Sequence, residues 1–369
     1  MSKKIAHTYL FSSEFFKAFI FFSMSKRQKL SDPDAQFEDL PNEVILKILG
    51  YLEGTKGLIY CGHLSRRIRT ISQDETLWQK INLSRQNIPT GFLQMVLNNG
   101  CKYLNLRSSY FNNIDRSVKL DGPNQLQYLD LPFTSSTTGE VIGELLGSCC
   151  SLQKLSVYLF NISLVNRISP QNWKSLKVLN FEGGFDMESI KLVVKNCIEL
   201  RELTIIKTDL SEDIINLLVN NLTPKIQKLN LSCIGYFSAY SVCVKDEQIK
   251  TLVERCNKIT SLNLQNSEIT NKSITSIVEN LQVSLEELGI SHYKNVSYNK
   301  LLELKLMPKL RVLKYFDAWY HPEFEMNLKK DMPHLIFLRS AEIAENRSNN
   351  GIWEIKANKF QLNRSSNQD

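Results

Sequence analysis

An α/β solenoid, a curved parallel sheet backed by outer helices and preceded by a small all-α unit, is the architecture this sequence predicts. Three observations predict it. A leucine pattern recurs at a period near 25 residues over most of the chain. Apolar residues at helical spacing fill the intervals between its copies. Residues 37–83 keep a different, purely helical rhythm.

Taken in order, residues 1–35 read as a disordered tail. The formal net charge of the chain is +7, and most of it sits here. Lys3, Lys4, Lys17, Lys26, Arg27 and Lys29 face only one acid, Glu14, within residues 1–30. The remainder is close to neutral, so the basic footprint of a nucleic-acid-binding body is missing. Phe15–Phe22 mimics a signal peptide, but Lys17 interrupts it and no small-x-small cleavage site follows. Met24 opens a fresh basic start, which marks residues 1–23 as an upstream extension. Lys26-Arg27-Gln28-Lys29 has the charge of a nuclear-import signal and equally of a solvated tail. No run of 18 apolar residues occurs, so no membrane span is expected.

Residues 36–83 form the second segment. Leu40-Pro41 precedes Ile45, Ile48, Leu49 and Leu52, an i, i+3, i+4, i+7 stripe. Pro41 suits a helix start because no backbone N–H is needed there. Glu43 places an acid near the positive end of the helix. A second apolar group, Leu58, Ile59, Leu64, Ile68 and Ile71, follows, and the segment closes at Leu77-Trp78.

Residues 84–340 carry the repeats. The pattern L-x-x-L-x-L appears as Leu126-Leu129-Leu131, Leu152-Leu155-Val157, Leu176-Leu179-Phe181, Leu200-Leu203-Ile205 and Ile226-Leu229-Leu231. It continues as Ile259-Leu262-Leu264, Leu285-Leu288-Ile290 and Leu310-Leu313-Tyr315. Leu104-Leu106 is a partial first copy and Leu335-Leu338 a worn last one, so about ten repeats are expected with degenerate ends. This period lies in the leucine-rich-repeat range. One interval is longer and holds an insertion around Tyr236–Tyr240.

Strand side chains alternate, so the apolar pair of each L-x-L enters one core. Stretches such as Ser189–Asn196 and Asp213–Val219 close its outer side as helices. The residues between and after the leucines then line the concave face. One row runs Asp130, Ser156, Asn180, Thr204, Asn230, Asn263, Gly289, Lys314. The next runs Pro132, Tyr158, Glu182, Ile206, Ser232, Gln265, Ser291, Phe316. Mixed polar, small and aromatic rows without a dominant charge suit recognition of protein. Tyr158, Glu182, Thr204, Asn230, Asn263, Gln265, Lys314 and Phe316 are therefore candidate substrate contacts. Only Lys314 among them could meet a phosphate.

Phe37-Glu38-Asp39-Leu40-Pro41-Asn42-Glu43-Val44-Ile45 through Leu77-Trp78 resembles an F-box. An F-box followed by leucine-rich repeats resembles the F-box/leucine-rich-repeat family, and its S-phase kinase-associated branch in particular. The parts that carry that branch are Asp74–Gln79, Met332-Pro333-His334-Leu335 and Gly351-Ile352-Trp353-Glu354-Ile355-Lys356. The resemblance implies a hook that binds the Skp adaptor of a cullin–RING ubiquitin ligase. Leu40, Pro41, Val44, Ile45, Ile48, Leu49, Leu52, Leu58, Leu64, Ile68 and Trp78 would dock it. Ile68 departs from the tryptophan that many F-boxes carry. Each buried Leu or Ile contributes about 1.5–3 kcal/mol, although a unit this small must also spend some of the stripe on its own core.

The resemblance further implies a protein substrate, of the cyclin-dependent-kinase-inhibitor class in cell-cycle control, and a small Cks-type accessory protein. The tail, residues 341–369 with Trp353, would fold back along the concave face. A family tryptophan aligns with Lys207, and charged family positions align with Asn266 and His292, so the accessory site is the weaker match. The nucleus and cytoplasm are the expected compartments.

Enzyme signatures are missing from the sequence. His7, His63, His292, His321 and His334 are scattered, with no H-E-x-x-H, G-x-S-x-G or Walker loop. Eight cysteines offer no C-x-x-C and no zinc spacing, and Cys149-Cys150 are adjacent. Reduced thiols, no metal and no cofactor are expected. Two function classes remain, a ubiquitin-ligase substrate receptor and a leucine-rich-repeat scaffold or inhibitor acting without ubiquitin. Residues 37–83 discriminate them, because a scaffold needs no adaptor hook.

Overall fold

The computed structural model describes residues 37–52, 55–112, 122–133, 136–158, 164, 166–183, 187–206, 211–232, 244–265, 267–291, 296–316 and 322–339. They fall into two compact units, one ending at Gln127 and one beginning at Tyr128.

The first unit opens with a 3-10 turn, Phe37–Asp39, and four helices: α1 (Asn42–Leu49), α2 (Thr55–Cys61), α3 (Arg66–Ser72) and α4 (Glu75–Trp78). Ser65 caps α3 by accepting from the Ile68 N–H at 3.2 Å, and Asp74 caps α4 by accepting from Thr76 at 2.9 Å. Both α1 and α2 pack on α3. The interior is Ile45, Ile48, Leu49, Leu58, Ile68, Ile71 and Trp78, all buried. The Trp78 indole N–H donates to the Ser72 carbonyl at 2.7 Å, so its one polar atom is satisfied. Strands β1 (Lys80–Asn82), β2 (Asn87–Pro89), β3 (Tyr103–Asn105) and β4 (Tyr110–Asn112) and helix α5 (Thr90–Asn98) complete the unit. β1 pairs with β3 and β2 with β4, both in parallel. Helix α5 ends at Gly100, whose φ of +79° is the left-handed conformation that closes helices.

In the second unit nine described strands form one parallel sheet in chain order: β5 (Tyr128–Phe133), β6 (Lys154–Tyr158), β7 (Val178–Glu182), β8 (Glu202–Ile206), β9 (Lys228–Asn230), β10 (Ser261–Asn263), β11 (Glu287–Ser291), β12 (Val312–Phe316) and β13 (Ile336–Arg339). Helices α6 (Ser136–Ser148), α7 (Pro170–Ser175), α8 (Met187–Asn196), α9 (Glu212–Asn221), α10 (Asp246–Arg255), α11 (Asn271–Leu281), α12 (Tyr298–Leu301) and α13 (Pro322–Asp331) alternate with them, and a 3-10 turn, Leu302–Leu306, follows α12. Every apolar residue of the repeat pattern from Leu126 to Tyr315 is buried. Strand positions align without slip between β6 and β12, as in Leu155 beside Leu179 and Leu288 beside Leu313. From β7 to β12 the residue just before the strand donates to its counterpart one repeat earlier, as Arg201 does to Lys177 at 2.8 Å and Gln227 to Arg201 at 2.7 Å.

Strand length has a side-chain cause. Asn82, Asn105, Asn230 and Asn263 occupy the middle of L-x-L, and each side-chain oxygen accepts the backbone N–H two residues on, at 2.9–3.1 Å. This turn takes the N–H away from the ladder. All four strands stop after three residues, whereas β6, β7, β8, β11 and β12 run for five. Asn180 instead donates to the Ser156 hydroxyl at 3.1 Å, and β7 continues to Glu182.

The last copy corrects the sequence reading. Leu335 is buried as expected, but pairing of β12 with β13 sets Phe337 opposite Leu313 and Leu338 opposite Lys314. Phe337, not Leu338, therefore continues the core column. A one-residue slip sends strand side chains to the other face. Phe337 packs edge-on against Tyr315 and Phe324, with Lys329 over its ring at 5.3 Å. The insertion around Tyr236–Tyr240, the tail 1–35 and residues 341–369 lie outside the described residues.

Candidate functional site

Two surfaces carry the residues singled out from sequence, one in each unit. In the first, the docking stripe divides by burial. Ile45, Ile48, Leu49, Leu58, Ile68 and Trp78 are enclosed in the unit's own interior and have no surface left to offer a partner. Leu40, Val44, Leu52 and Leu64 are half-buried and Pro41 is exposed. The physical reason is size: short helices must seal their mutual interface before any apolar group is spare. Tyr51, 53% exposed beside Leu52, and half-buried Leu46 extend this apolar rim. The helical stripe singles out neither, because Tyr51 follows the end of α1 and Leu46 lies off its buried face.

The rim is held from behind. Pro41 stands at the N-cap of α1 and contributes no capping side chain, while its carbonyl accepts from Val44 and Ile45 at 3.0 Å. The Arg67 guanidinium on α3 donates to the Leu40 carbonyl at 2.7 Å and to the Asn42 side-chain oxygen at 2.7 and 2.9 Å. Arg69 donates to the Gly62 carbonyl at 2.9 Å and ties α3 to the end of α2.

The second surface is the sheet face opposite the leucines. Strand register brings Ser156, Asn180, Thr204, Asn230 and Asn263 side by side on adjacent strands, with Gly289 and Lys314 next. Glu182 lies at the end of β7, and Tyr158 and Phe316 end β6 and β12. Gln265 is buried rather than open. Gly289 gives Asn263 its room, because a Cβ there would lie 2.5 Å from the Asn263 side-chain oxygen. Lys207, Asn266, His292 and Trp353 lie outside the described residues.

The sequence reading missed a third row. Side chains two positions before the first share its face, namely Tyr128, Lys154, Val178, Glu202, Lys228, Ser261, Glu287 and Val312, and Ile336 joins them by its register with Val312. The period-2 rule that gave the other rows would have found it. This row matters for charge. Lys228 pairs with Glu202 at 3.1 Å, and Lys314 pairs with Glu287 at 3.2 Å. Glu287 also accepts from Ser261 at 3.3 Å. Lys228 and Lys314 are matched on the face itself, so Lys314 already has an acidic partner there. Toward the last strand the face turns apolar, with Val312 half-buried and Ile336 55% exposed.

Of the described cysteines, Cys61, Cys101, Cys149, Cys197 and Cys256 are buried and Cys150 is exposed. Burial pushes the Cys61 and Cys256 thiols up to about 11 and those of Cys101 and Cys197 up to about 12. Among the described residues no group of three or more His, Cys, Asp or Glu could hold a metal ion. No described helix is long and apolar enough to cross a membrane.

This geometry agrees with two family matches. Residues 37–84 match the F-box-like model, and residues 91–358 match the SKP2 LRR domain model. The chain belongs to the F-box/leucine-rich-repeat family. A curated relative is the bovine (Bos taurus) F-box/LRR-repeat protein 21, 23% identical over 330 residues and covering 82% of this chain. The match spans 65% of that protein's length. In this family member the F-box-like segment holds the helical hook, and the repeat model begins at helix α5.

Proposed function

We propose that this F-box/leucine-rich-repeat protein is the substrate-recognition subunit of a Skp–cullin–F-box ubiquitin ligase. The observation that carries the reading is the joining of an F-box-like unit to an SKP2-type repeat array in one chain. In the hook, Leu40, Pro41, Val44, Leu52 and Leu64 keep the surface that an adaptor would cover. A central apolar anchor set of this kind dominates binding energy at most interfaces.

The chain itself performs no bond chemistry in this scheme. The hook fixes the chain to the adaptor and cullin, and the sheet face holds a protein substrate near the ubiquitin-charged enzyme. The rate gain is that of proximity. At the finer level, the substrate is a cyclin-dependent-kinase inhibitor, met with the help of a Cks-type accessory protein. Paired lysines on the face support that division of labour, since a phosphate would need basic groups from elsewhere. Action in the nucleus and cytoplasm fits this role and the basic run Lys26-Arg27-Gln28-Lys29.

Co-expression of the full chain with the Skp adaptor tests the reading. Co-elution on size-exclusion chromatography, lost in a Leu40→Ala/Pro41→Ala variant, is the expected result. A folded chain that elutes without the adaptor would overturn it.

A further inference from the structure

We propose that Arg67 is a positioning residue that presets the Leu40-Pro41 docking element before the adaptor arrives; this rests on the adaptor-binding reading above. The entry to α1 lacks a side-chain anchor of its own. Its N-cap is a proline, which supplies no side-chain oxygen to hold the first turn. Backbone hydrogen bonds hold such an entry locally, with Val44 and Ile45 donating to the Pro41 carbonyl at 3.0 Å and Leu40 to the Phe37 carbonyl at 3.4 Å, and the N-cap adds no side-chain bond to them.

A side-chain grip comes from one guanidinium. Arg67 lies 27 positions after Leu40 in sequence. One of its nitrogens reaches both the Leu40 carbonyl and the Asn42 side chain at 2.7 Å, and a second reaches Asn42 at 2.9 Å. The contacts fall on both sides of Pro41. The planar fork thus fixes the residues flanking the proline in one plane, which a lysine's single point of charge cannot do. Arg67 itself is exposed and stands next to the fully buried Ile68, so the core anchors its backbone while its side chain reaches out. Removing the guanidinium takes away no apolar core. It frees Leu40 and Pro41 to sample other orientations, and the adaptor must then order them at its own expense.

The test uses the full chain and the recombinant Skp adaptor. Arg67→Ala is expected to melt within a few degrees of wild type and to bind the adaptor about tenfold more weakly. Arg67→Lys should recover only part of that loss. In a Leu40→Ala/Pro41→Ala background, Arg67→Ala should add little further loss, because the element it positions is gone. Equal losses in both backgrounds would overturn positioning. Hydrogen exchange supplies a readout without the adaptor. The Val44 and Ile45 amides, which donate to the Pro41 carbonyl, should exchange faster in Arg67→Ala, and unchanged exchange would overturn the proposal even where adaptor binding itself is confirmed. Should Arg67→Ala fail to fold, Asn42→Ala removes one of the two anchors and should give the same effects at smaller size. Wild-type chain that binds no adaptor, with exchange at Val44 and Ile45 still responding to Arg67→Ala, would overturn the docking reading while leaving the preset turn intact.

Discussion

Ile45 in the hook and Leu203 in the array are both found by hydrophobic spacing, and both are buried, yet only one of these patterns also marks which neighbours face away from the core. In a strand the alternation is strict. Leu203 and Ile205 enter the core, so Glu202, Thr204 and Ile206 take the other face. In a helix the apolar stripe is wide, and a small bundle uses its centre for itself. Ile45, Ile48 and Leu49 seal α1, while its flanks, Leu40, Pro41, Val44 and Leu46, stay accessible. A repeat array separates core from surface residue by residue, whereas a helical hook shares one stripe between them.

Substitutions that fall on either side of this divide test it. Leu203→Ala should cost about 2–5 kcal/mol of unfolding free energy. Its neighbour Thr204→Ala should stay within about 0.5 kcal/mol, as surface changes do. Urea melts of the two variants read the contrast, and equal losses would break the alternation. Ile45→Ala should likewise cost about 2–5 kcal/mol and weaken adaptor binding only through lost folding.

A polar core residue sharpens the picture of repeats that stabilise one another. Asn172, buried on α7, donates to the Cys149 carbonyl at 2.7 Å and accepts from the Leu152 N–H at 3.1 Å. Asn172→Ala strands both groups and should cost about 2–4 kcal/mol. Asp246 makes a smaller, pH-dependent link. Burial raises its pKa, but hydrogen bonds from Ser273 and Thr270 outweigh this, so the carboxyl lies below its ordinary value. A lowered folded-state pKa contributes stability above the unfolded value of about 3.9 and loses it as pH falls through the folded value. Asp246→Asn should thus melt lower than wild type at pH 7, with the gap closing below about pH 4. The smallest effect is chemical. At pH 8 a maleimide should label exposed Cys150 and spare Cys101 and Cys197 until the chain unfolds.

Much of the fold was legible because leucines report a period that only one architecture satisfies. From Leu126 to Tyr315 every core position is where the spacing puts it. The misses have local causes. Leu338 yielded to Phe337 because the last strand slips by one residue. The asparagine turns that shorten β9 and β10 involve one side-chain oxygen each, which leaves no trace in hydrophobic spacing. In the hook, spacing alone could not say which stripe residues were spare, and Tyr51 lies just past the helix that would have drawn attention to it. Arg67 carried no signal, since its partners are a main-chain carbonyl and an asparagine far away in sequence.

The affinity of the folded full chain for the Skp adaptor, measured beside the melting temperature, separates docking from folding. Leu40→Ala/Pro41→Ala should lose at least tenfold in affinity while its melting temperature stays within a few degrees of wild type. An unchanged affinity, or a loss only in step with unfolding, would contradict a hook that docks through the surface its core leaves over.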